Sequence, residues 1–256
     1  RAIPNPKGVK ASIIHIDIDP AEIGKNVNAH IPIVGDVKSV LREFTKEIEA
    51  CPCDEWLKKV QAAKKEAPLR GEPRTDFVEP RAFMRDLSAM MEDDAILTAD
   101  VGQNQIWAAN NFNTKEGRFL TSGGMGTMGY ALPAAIGAKL AKPKRQVVAV
   151  CGDGSFQMSM CELATANQNQ VPLKLVVMRN KFLGMVKELQ DNLYQGRHVA
   201  TPLNGDPDIV KLVQAYGIKA VFAQNNEDAK KLAKEMLESK EAYVLVCDVD
   251  PNTPSI

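Results

Sequence analysis

Apolar residues along the chain fall into two periods, and they alternate in a regular way from about residue 77 onward. Short, nearly unbroken apolar runs predict strands buried on both faces, while apolar positions three and four apart predict helices packed on one side. At the front, residues 11–19 read as a strand closed by Pro20, and Ile31 to Val34 reads as a second. Asp36 is placed to cap a helix whose apolar face is Val37, Val40, Leu41, Phe44 and Ile48. The pattern then changes. Residues 49–75 hold Cys-Pro-Cys, a Lys-rich helix near 54–66, and then Pro68, Gly71 and Pro73, as expected of a linker between a domain over 1–48 and another over 76–256.

In the second domain Pro80 suits a first helical position, and Phe83, Leu87, Met90 and Met91 form a helical stripe. A strand over Ala95–Ala99 ends in Asp100-Val101-Gly102. A helix through 105–110 and a short strand near 118–121 follow. Gly123-Gly124-Met125-Gly126 feeds a helix from about Gly129 to Leu140. Strands are predicted at 147–151 and 173–178 with a helix between them, then a helix near 207–215 and a strand over 218–222. Ala229, Leu232, Ala233, Met236 and Leu237 mark an amphipathic helix, and Tyr243 to Val249 is the last strand. Strand and helix in alternation predict an α/β fold, a parallel sheet flanked by helices on both faces. There is no internal repeat and no low-complexity tract.

Composition narrows the function classes. Of the 256 residues, 45% are hydrophobic and 25% charged, and Lys+Arg equals Asp+Glu. A net charge of zero favours neither nucleic acid nor an anionic membrane surface. No apolar run has the length of a membrane span. The chain opens on Arg1-Ala2-Ile3-Pro4, without an initiator Met or a signal-peptide pattern, and is expected to be a fragment. Five cysteines show no disulfide framework, which points to a reducing compartment and a cytoplasmic location. Cys51-Pro52-Cys53 lacks the second ligand cluster that a zinc site needs, and Cys151 and Cys247 sit in apolar strands as small core residues.

The candidate chemistry lies in three loops that follow three strands: Asp100-Val101-Gly102-Gln103, Gly152-Asp153-Gly154-Ser155 and Arg179-Asn180-Lys181. Ligands of open parallel sheets bind outside the carboxyl ends of the strands, so all three loops fall on the binding edge. Glycines let the backbone approach a ligand, and the helix expected after Gly154 would turn its amino end toward a phosphate. Asp153 and the Asn180 side-chain carbonyl are hard oxygen donors suited to magnesium. Gly-Asp-Gly alone is an ordinary strand-to-helix turn. The 24 residues between Gly154 and Arg179 leave room for one helix and one strand, which would return Asn180 to the same edge.

Gly152-Asp153-Gly154 with Asn180 downstream resembles the cofactor motif of thiamine-diphosphate enzymes that decarboxylate pyruvate. Gly152 to Met158, Glu162 to Thr165, Leu183 to Val186, Gly102-Gln103 with Gln105 to Ala109, and Gly126 to Tyr130 with Leu132 to Ala138 are similar to the catalytic large subunits of the acetolactate (acetohydroxyacid) synthase family. His15 to Lys25 with Gly35-Asp36-Val37 is similar to the end of that family's middle, flavin-contacting, Rossmann-like domain. The resemblance covers nearly the whole chain except the linker. It implies a magnesium site of Asp153, Asn180 and the main-chain oxygen of Phe182. It implies diphosphate contacts at Gln103, Asn104, Gly152, Gly154, Ser155, Gly184 and Met185. The Gly126 carbonyl would receive the cofactor's aminopyrimidine, Met128 would prop the cofactor in a bent shape, and Gly126, Met128 and Met185 would border the reacting centre. Asp17 would contact the adenosine end of FAD. On spacing alone, Met128 also fits a plain core residue and Asp17 a solvated strand-end carboxylate.

The resemblance further implies condensation of two 2-keto acids with loss of carbon dioxide, in branched-chain amino acid biosynthesis. It implies a homodimer or tetramer formed through an N-terminal domain that no segment here resembles, a possible small regulatory subunit, and an activating glutamate on that missing domain. The chain departs from the pattern at three positions: Arg179 where Asn is usual, Asn104 where His is common, and Leu189 where a Trp commonly lines the substrate entrance. Another thiamine-diphosphate decarboxylase or carboligase, or a non-catalytic flavin- or nucleotide-binding module, stays open. His198 is expected in a polar irregular segment, and the Lys-rich run 230–240 on a solvated helix face.

Overall fold

The computed structural model describes residues 12–66 and 76–256, and the chain divides into two compact units, residues 1–67 and 68–256. The division falls inside the expected linker, whose residues 67–75, with Pro68, Gly71 and Pro73, lie outside the described residues.

In the first unit, β1 (Ile14–Asp17) pairs in parallel with β2 (Ile31–Val34), Ile14 opposite Ile31 and Asp17 opposite Val34. Helix α1 (Val37–Glu47) starts where expected. Asp36 Oδ1 accepts from the Ser39 amide at 2.9 Å and the Ser39 hydroxyl at 2.8 Å, satisfying an amide of the first turn. Helix α2 (Asp54–Glu66) carries Asp54 and Glu55 in its first turn, where acidic groups suit the helix dipole.

The second unit holds a six-stranded, all-parallel sheet. In chain order it contains α3 (Pro80–Met90), β3 (Ile96–Ala99), α4 (Gln103–Asn111), β4 (Arg118–Thr121), α5 (Ala131–Ala141) and β5 (Val147–Gly152). Then come α6 (Asp153–Ser159), α7 (Glu162–Gln168), β6 (Lys174–Arg179), α8 (Gly184–Tyr194), α9 (Ile209–Ala215), β7 (Lys219–Ala223), α10 (Asn226–Glu238) and β8 (Tyr243–Asp248). The strand order is β4-β3-β5-β6-β8-β7. The chain leaves β3 outward to β4 and returns to β5 on the other side of β3, so the winding direction reverses there. That reversal opens a crevice at the carboxyl ends of β3 and β5, the place where such sheets bind ligands.

Burial explains the unbroken apolar runs. Val148 and Val150 join Leu97, Val176, Leu245 and Cys247 in a core under α3, α4 and α10. Their neighbours Val147, Ala149 and Cys151 join Leu175, Val177, Val244 and Val246 in a second core under α5, α6, α7 and α9. Period two thus feeds both layers, and no central strand has a polar face.

Three local features differ from expectation. Helix α5 begins at Ala131, because Gly126 and Gly129 take positive φ of 67° and 87° and hold the preceding segment as a loop. Asp153 is the first residue of α6 rather than a loop residue, and that short helix stops before α7. Helix α8 was not expected. Val186, Leu189 and Leu193 have helical spacing but are exposed, and the one buried residue of α8 is Lys187. The polar segment after it folds back: Gln195 ends α8 in the left-handed region at φ 56°, and His198 Nε2 lies 2.6 Å from Asp191 Oδ1.

Lys174 opens β6 at the edge opposite the crevice, buried, with its ammonium donating to the Glu241 carbonyl. Burial, aided by the charge of Lys139, pushes its pKa down to about 8 from 10.5. The unfolded chain therefore binds more protons than the folded one between those values, and this residue makes stability rise with pH across that window. Lys174→Met should raise the melting temperature below about pH 8 and flatten its rise above it. Thermal melts of the two proteins as a function of pH test this; parallel curves would mean that the ammonium is not desolvated.

Candidate functional site

The carboxyl ends of β3, β5 and β6 lie level, with Ala99 opposite Val150 and Gly152 opposite Met178. Each strand runs within a few residues into a helix, so the amino-terminal turns of α4, α6 and α8 border one cleft. Such turns present unpaired N–H groups and a partial positive charge.

Asp153 is 4% exposed, and its carboxylate holds two loops together. Oδ1 accepts from the Gly154 amide at 3.0 Å, and Oδ2 accepts from the Lys181 amide at 2.7 Å, across 28 residues of sequence. Asn180, also buried, accepts at Oδ1 from the Phe182 amide at 3.0 Å and donates through Nδ2 to Gln103 Oε1 at 3.0 Å. The three strand-end loops are thus joined by side chains from two of them and the first residue of α4. Burial raises the Asp153 pKa to about 6, opposed by the Lys181 and Gly154 amides and by the charge of Arg179. A bound divalent cation would favour the ionised form.

Glycine is required at two of these positions. Gly102 has φ 145°, and a Cβ there would fall 2.6 Å from Asn104 Oδ1. A Cβ at Gly184 would fall 2.0 Å from Gln103 Oε1 and 2.6 Å from Asn180 Nδ2. Ser155 Oγ turns back onto Gly152, accepting from its amide and donating to its carbonyl, both at 3.1 Å.

The cleft is lined by Gln103, Asn104, Met128, Gly152, Asp153, Gly154, Ser155, Asn180, Phe182, Gly184 and Met185 among others. Gly126 lies exposed in its loop and does not line it. Asp17 belongs to the first unit, at the end of β1, where its Oδ1 accepts from the Asp19 amide at 2.9 Å. Several supports were not legible in the sequence. Gln103 is braced from behind by the chain's end, Nε2 donating to the Thr253 carbonyl at 3.0 Å and to Glu188 Oε2 at 3.3 Å. Trp107 Nε1 donates to the Pro254 carbonyl at 2.9 Å. Leu183, Leu203 and Met128 close around Gly154. Apart from the Glu188 carboxylate, these partners are main-chain oxygens or apolar contacts, and all are remote in sequence, so no motif encodes them.

One property of the lining decides what it can hold. Among the described residues lining the cleft there is no Lys, Arg or His, and Asp153 is the one carboxylate. No group of three or more His, Cys, Asp or Glu that could hold a metal exists among the described residues. Asp153 and Asn180 offer hard oxygens but too few to complete an octahedron, so a cation here must take further oxygens from a bound anion. An anion would meet the amino-terminal turns of α4, α6 and α8 but no basic side chain, so a cation shared with Asp153 would hold it more firmly. The donor set fits a magnesium diphosphate.

Residues 100–247 match the family model described as thiamine pyrophosphate enzyme, C-terminal TPP binding domain. The chain belongs to the thiamine pyrophosphate enzyme family. Residues 3–44 match that family's central domain. The chain is 43% identical over 256 residues to a probable acetolactate synthase large subunit of Methanocaldococcus jannaschii, covering 94% of this chain and 43% of the relative. It is 39% identical to the acetolactate synthase isozyme 3 large subunit of Escherichia coli (89% and 41% covered) and 38% identical to an acetolactate synthase large subunit of Lactococcus lactis (96% and 45% covered). The chain spans less than half the length of these relatives. As a thiamine pyrophosphate enzyme domain, it departs from the expected pattern at positions whose surroundings are now defined. Arg179 points to Asp206 (Nε to Oδ1 3.0 Å, Nη2 to Oδ2 2.7 Å) and to Asp248 (Nη1 to Oδ1 2.7 Å), leaving Asn180 free to face the cleft. Asn104 donates to the Asp100 carbonyl at 2.7 Å. Leu189 is half exposed, in a groove beside Val186, Tyr194 and Val199.

Two substitutions test this geometry. Asp153→Ala removes the one anionic oxygen donor of the cleft, and the loss of magnesium-dependent thiamine diphosphate affinity should exceed the roughly 10–100-fold that loss of an outer partner produces. Titration calorimetry with and without magnesium measures it, and unchanged affinity would remove Asp153 from the site. In Gly184→Ala the methyl would press on the buried Gln103–Asn180 pair, which Thr253, Glu188 and Phe182 brace, so the melting temperature should fall. Cation-dependent affinity should fall as the Gln103–Asn180 bond is lost. A large loss of stability with affinity intact would contradict this.

Proposed function

We propose that residues 76–256 hold the diphosphate end of thiamine diphosphate through magnesium, in an enzyme that condenses two 2-keto acids, pyruvate to 2-acetolactate, with loss of carbon dioxide. The observation that carries this reading is a cleft at the winding reversal whose lining holds, among the described residues, one buried carboxylate (Asp153), three buried carboxamides (Gln103, Asn104 and Asn180) and no basic side chain. Asp153, the Asn180 carbonyl oxygen and the Phe182 main-chain oxygen would hold the cation. Gln103, Asn104, Gly152, Gly154, Ser155, Gly184 and Met185 would surround the diphosphate. When bound, thiamine diphosphate supplies a nucleophilic thiazolium carbon and an electron sink for the group left by decarboxylation.

The work of this chain's residues is placement. Gln103 orients the Asn180 amide by accepting from Nδ2, so that its oxygen faces the cleft. The Lys181 and Gly154 amides hold the Asp153 carboxylate in one orientation. Met128, whose Cε would lie 3.6 Å from a Cβ at Gly154, would prop the cofactor from the far side, and Gly126, exposed and outside the lining, would bring its carbonyl to the aminopyrimidine. Apolar Met185, Val186 and Leu183 exclude water around the reacting centre.

The wider reading is that of the whole enzyme. Residues 1–48 would be the end of a central domain, which the central-domain match over 3–44 supports, and Asp17 would lie toward the adenosine of FAD. The relatives are large subunits of acetolactate synthase, which supports branched-chain amino acid biosynthesis and a small regulatory subunit; a dimer or tetramer built through a further domain belongs to the same proposal. Five free thiols favour a reducing cytoplasm. No helix among the described residues is long and apolar enough to cross a membrane.

Full-length protein supplied with pyruvate, magnesium, thiamine diphosphate and FAD should form acetolactate. Acetaldehyde alone would make it a simple decarboxylase, and flavin binding without magnesium-dependent thiamine diphosphate binding would make it a nucleotide-binding module. The 256-residue chain by itself should bind the cofactor weakly and turn over no pyruvate, since the activating glutamate belongs to another domain. Robust turnover by that chain would overturn this assignment of roles.

A further inference from the structure

Asp100 is fully buried at the end of β3, and it does not line the cleft. Its Oδ1 accepts from the amides of Val101 and Gly129, and its Oδ2 from the amide of Ala131, each at 2.9 Å. Its own amide donates to the Val150 carbonyl at 2.8 Å, and its carbonyl accepts from Asn104 at 2.7 Å. The residue is therefore fixed by the two central strands on one side. On the other it holds the segment between β4 and α5 at Gly129 and Ala131, assisted by Thr98 Oγ1, which donates to the Ala131 carbonyl at 2.9 Å. The far end of the segment is pinned to Ser122, whose carbonyl accepts from Gly126 at 3.0 Å and whose hydroxyl accepts from Thr127 at 3.1 Å. Met128 lies next to the Asp100 anchor and reaches toward Gly154 across the cleft.

We infer that Asp100 is a positioning residue: through the Gly129 and Ala131 amides it sets the height of the 126–130 segment, and with it Met128 and the Gly126 carbonyl, over the half of the site remote from the diphosphate. This rests on the thiamine diphosphate reading of the cleft. A carboxylate is required because three N–H donors converge on two oxygens. Asparagine keeps one of those oxygens and turns an NH2 group toward at least one of the donors. The segment would lift at that point while Asp153, Asn180 and the strand ends stay in place.

In full-length protein, Asp100→Asn should bind magnesium with inorganic pyrophosphate within about 3-fold of the parent, because the cation end is intact. Turnover should fall by about 100-fold, the scale of loss for an ångström-sized misplacement. Exchange of the C2 proton of bound thiamine diphosphate should slow to a similar degree, and KM should change little. A role limited to stability would lower the melting temperature and leave C2 exchange at the parent rate, which would overturn the inference. Parallel loss of pyrophosphate affinity would overturn it too, by placing Asp100 at the cation end. Should the variant not fold, amide hydrogen exchange of the parent decides: Gly129 and Ala131 must be strongly protected relative to Gly124 and Met125, and solvent-like exchange at both overturns it. Failure of the parent to bind thiamine diphosphate at all would instead strike the cofactor reading, and needs no variant to be seen.

Discussion

The bond from the Lys181 amide to the Asp153 carboxylate, 2.7 Å long, is the contact on which the rest of the site depends. It joins the loop after β5 to the loop after β6 through an acid that burial alone would drive toward protonation. The same group is the one charge facing the cleft, so the fold holds an anionic oxygen in a desolvated place without a basic side chain to neutralise it. Desolvation of that kind destabilises a protein unless a ligand compensates, and a divalent cation shared with an anion is such a ligand.

Everything that surrounds this carboxylate serves to keep polar groups satisfied at short range. Asn180 is fastened through Phe182 and Gln103, and Gln103 through Thr253 and Glu188. Arg179, adjacent to Asn180, is drawn away by Asp206 and Asp248, so its guanidinium fastens the 206 loop and the end of β8 rather than competing for the cleft. Asp100 is a second buried acid held by main-chain amides, and its bonds tie the loop before α5 to the end of β3. Two carboxylates at neighbouring strand ends thus differ in their surroundings: Asp153 lines the cleft, and Asp100 is spent on main-chain amides.

The strands and most helices were legible because burial on both faces of a parallel sheet writes itself as unbroken apolar runs, as in Val147–Cys151 and Tyr243–Val249. Helix α8 was not, since its apolar residues are exposed and its buried residue is a lysine, fastened to Asp191 at 3.0 Å and Asn252 at 3.3 Å. Helix α6 starts two residues earlier than expected because Asp153 makes a helical turn and a loop bond at once. In the candidate site, glycines and paired Asp and Asn could be read from spacing. Gly126, which the resemblance set at the reacting centre, is exposed and outside the lining, whereas Met128 of the same segment lines the cleft.

The sequence by itself determined the alternation of strand and helix, the edge on which Asp153 and Asn180 must emerge, and the family to which those loops belong. The first two follow from local periodicity and from residue types whose chemistry is fixed, the third from the resemblance of the loop motifs. Only the tertiary structure decided that winding reverses between β3 and β5, that the last residues of the chain brace Gln103, and that Asp100 reaches the amides of Gly129 and Ala131. Those contacts join main-chain groups to side chains far away in sequence, and a main-chain amide carries no signature in the identity of its residue.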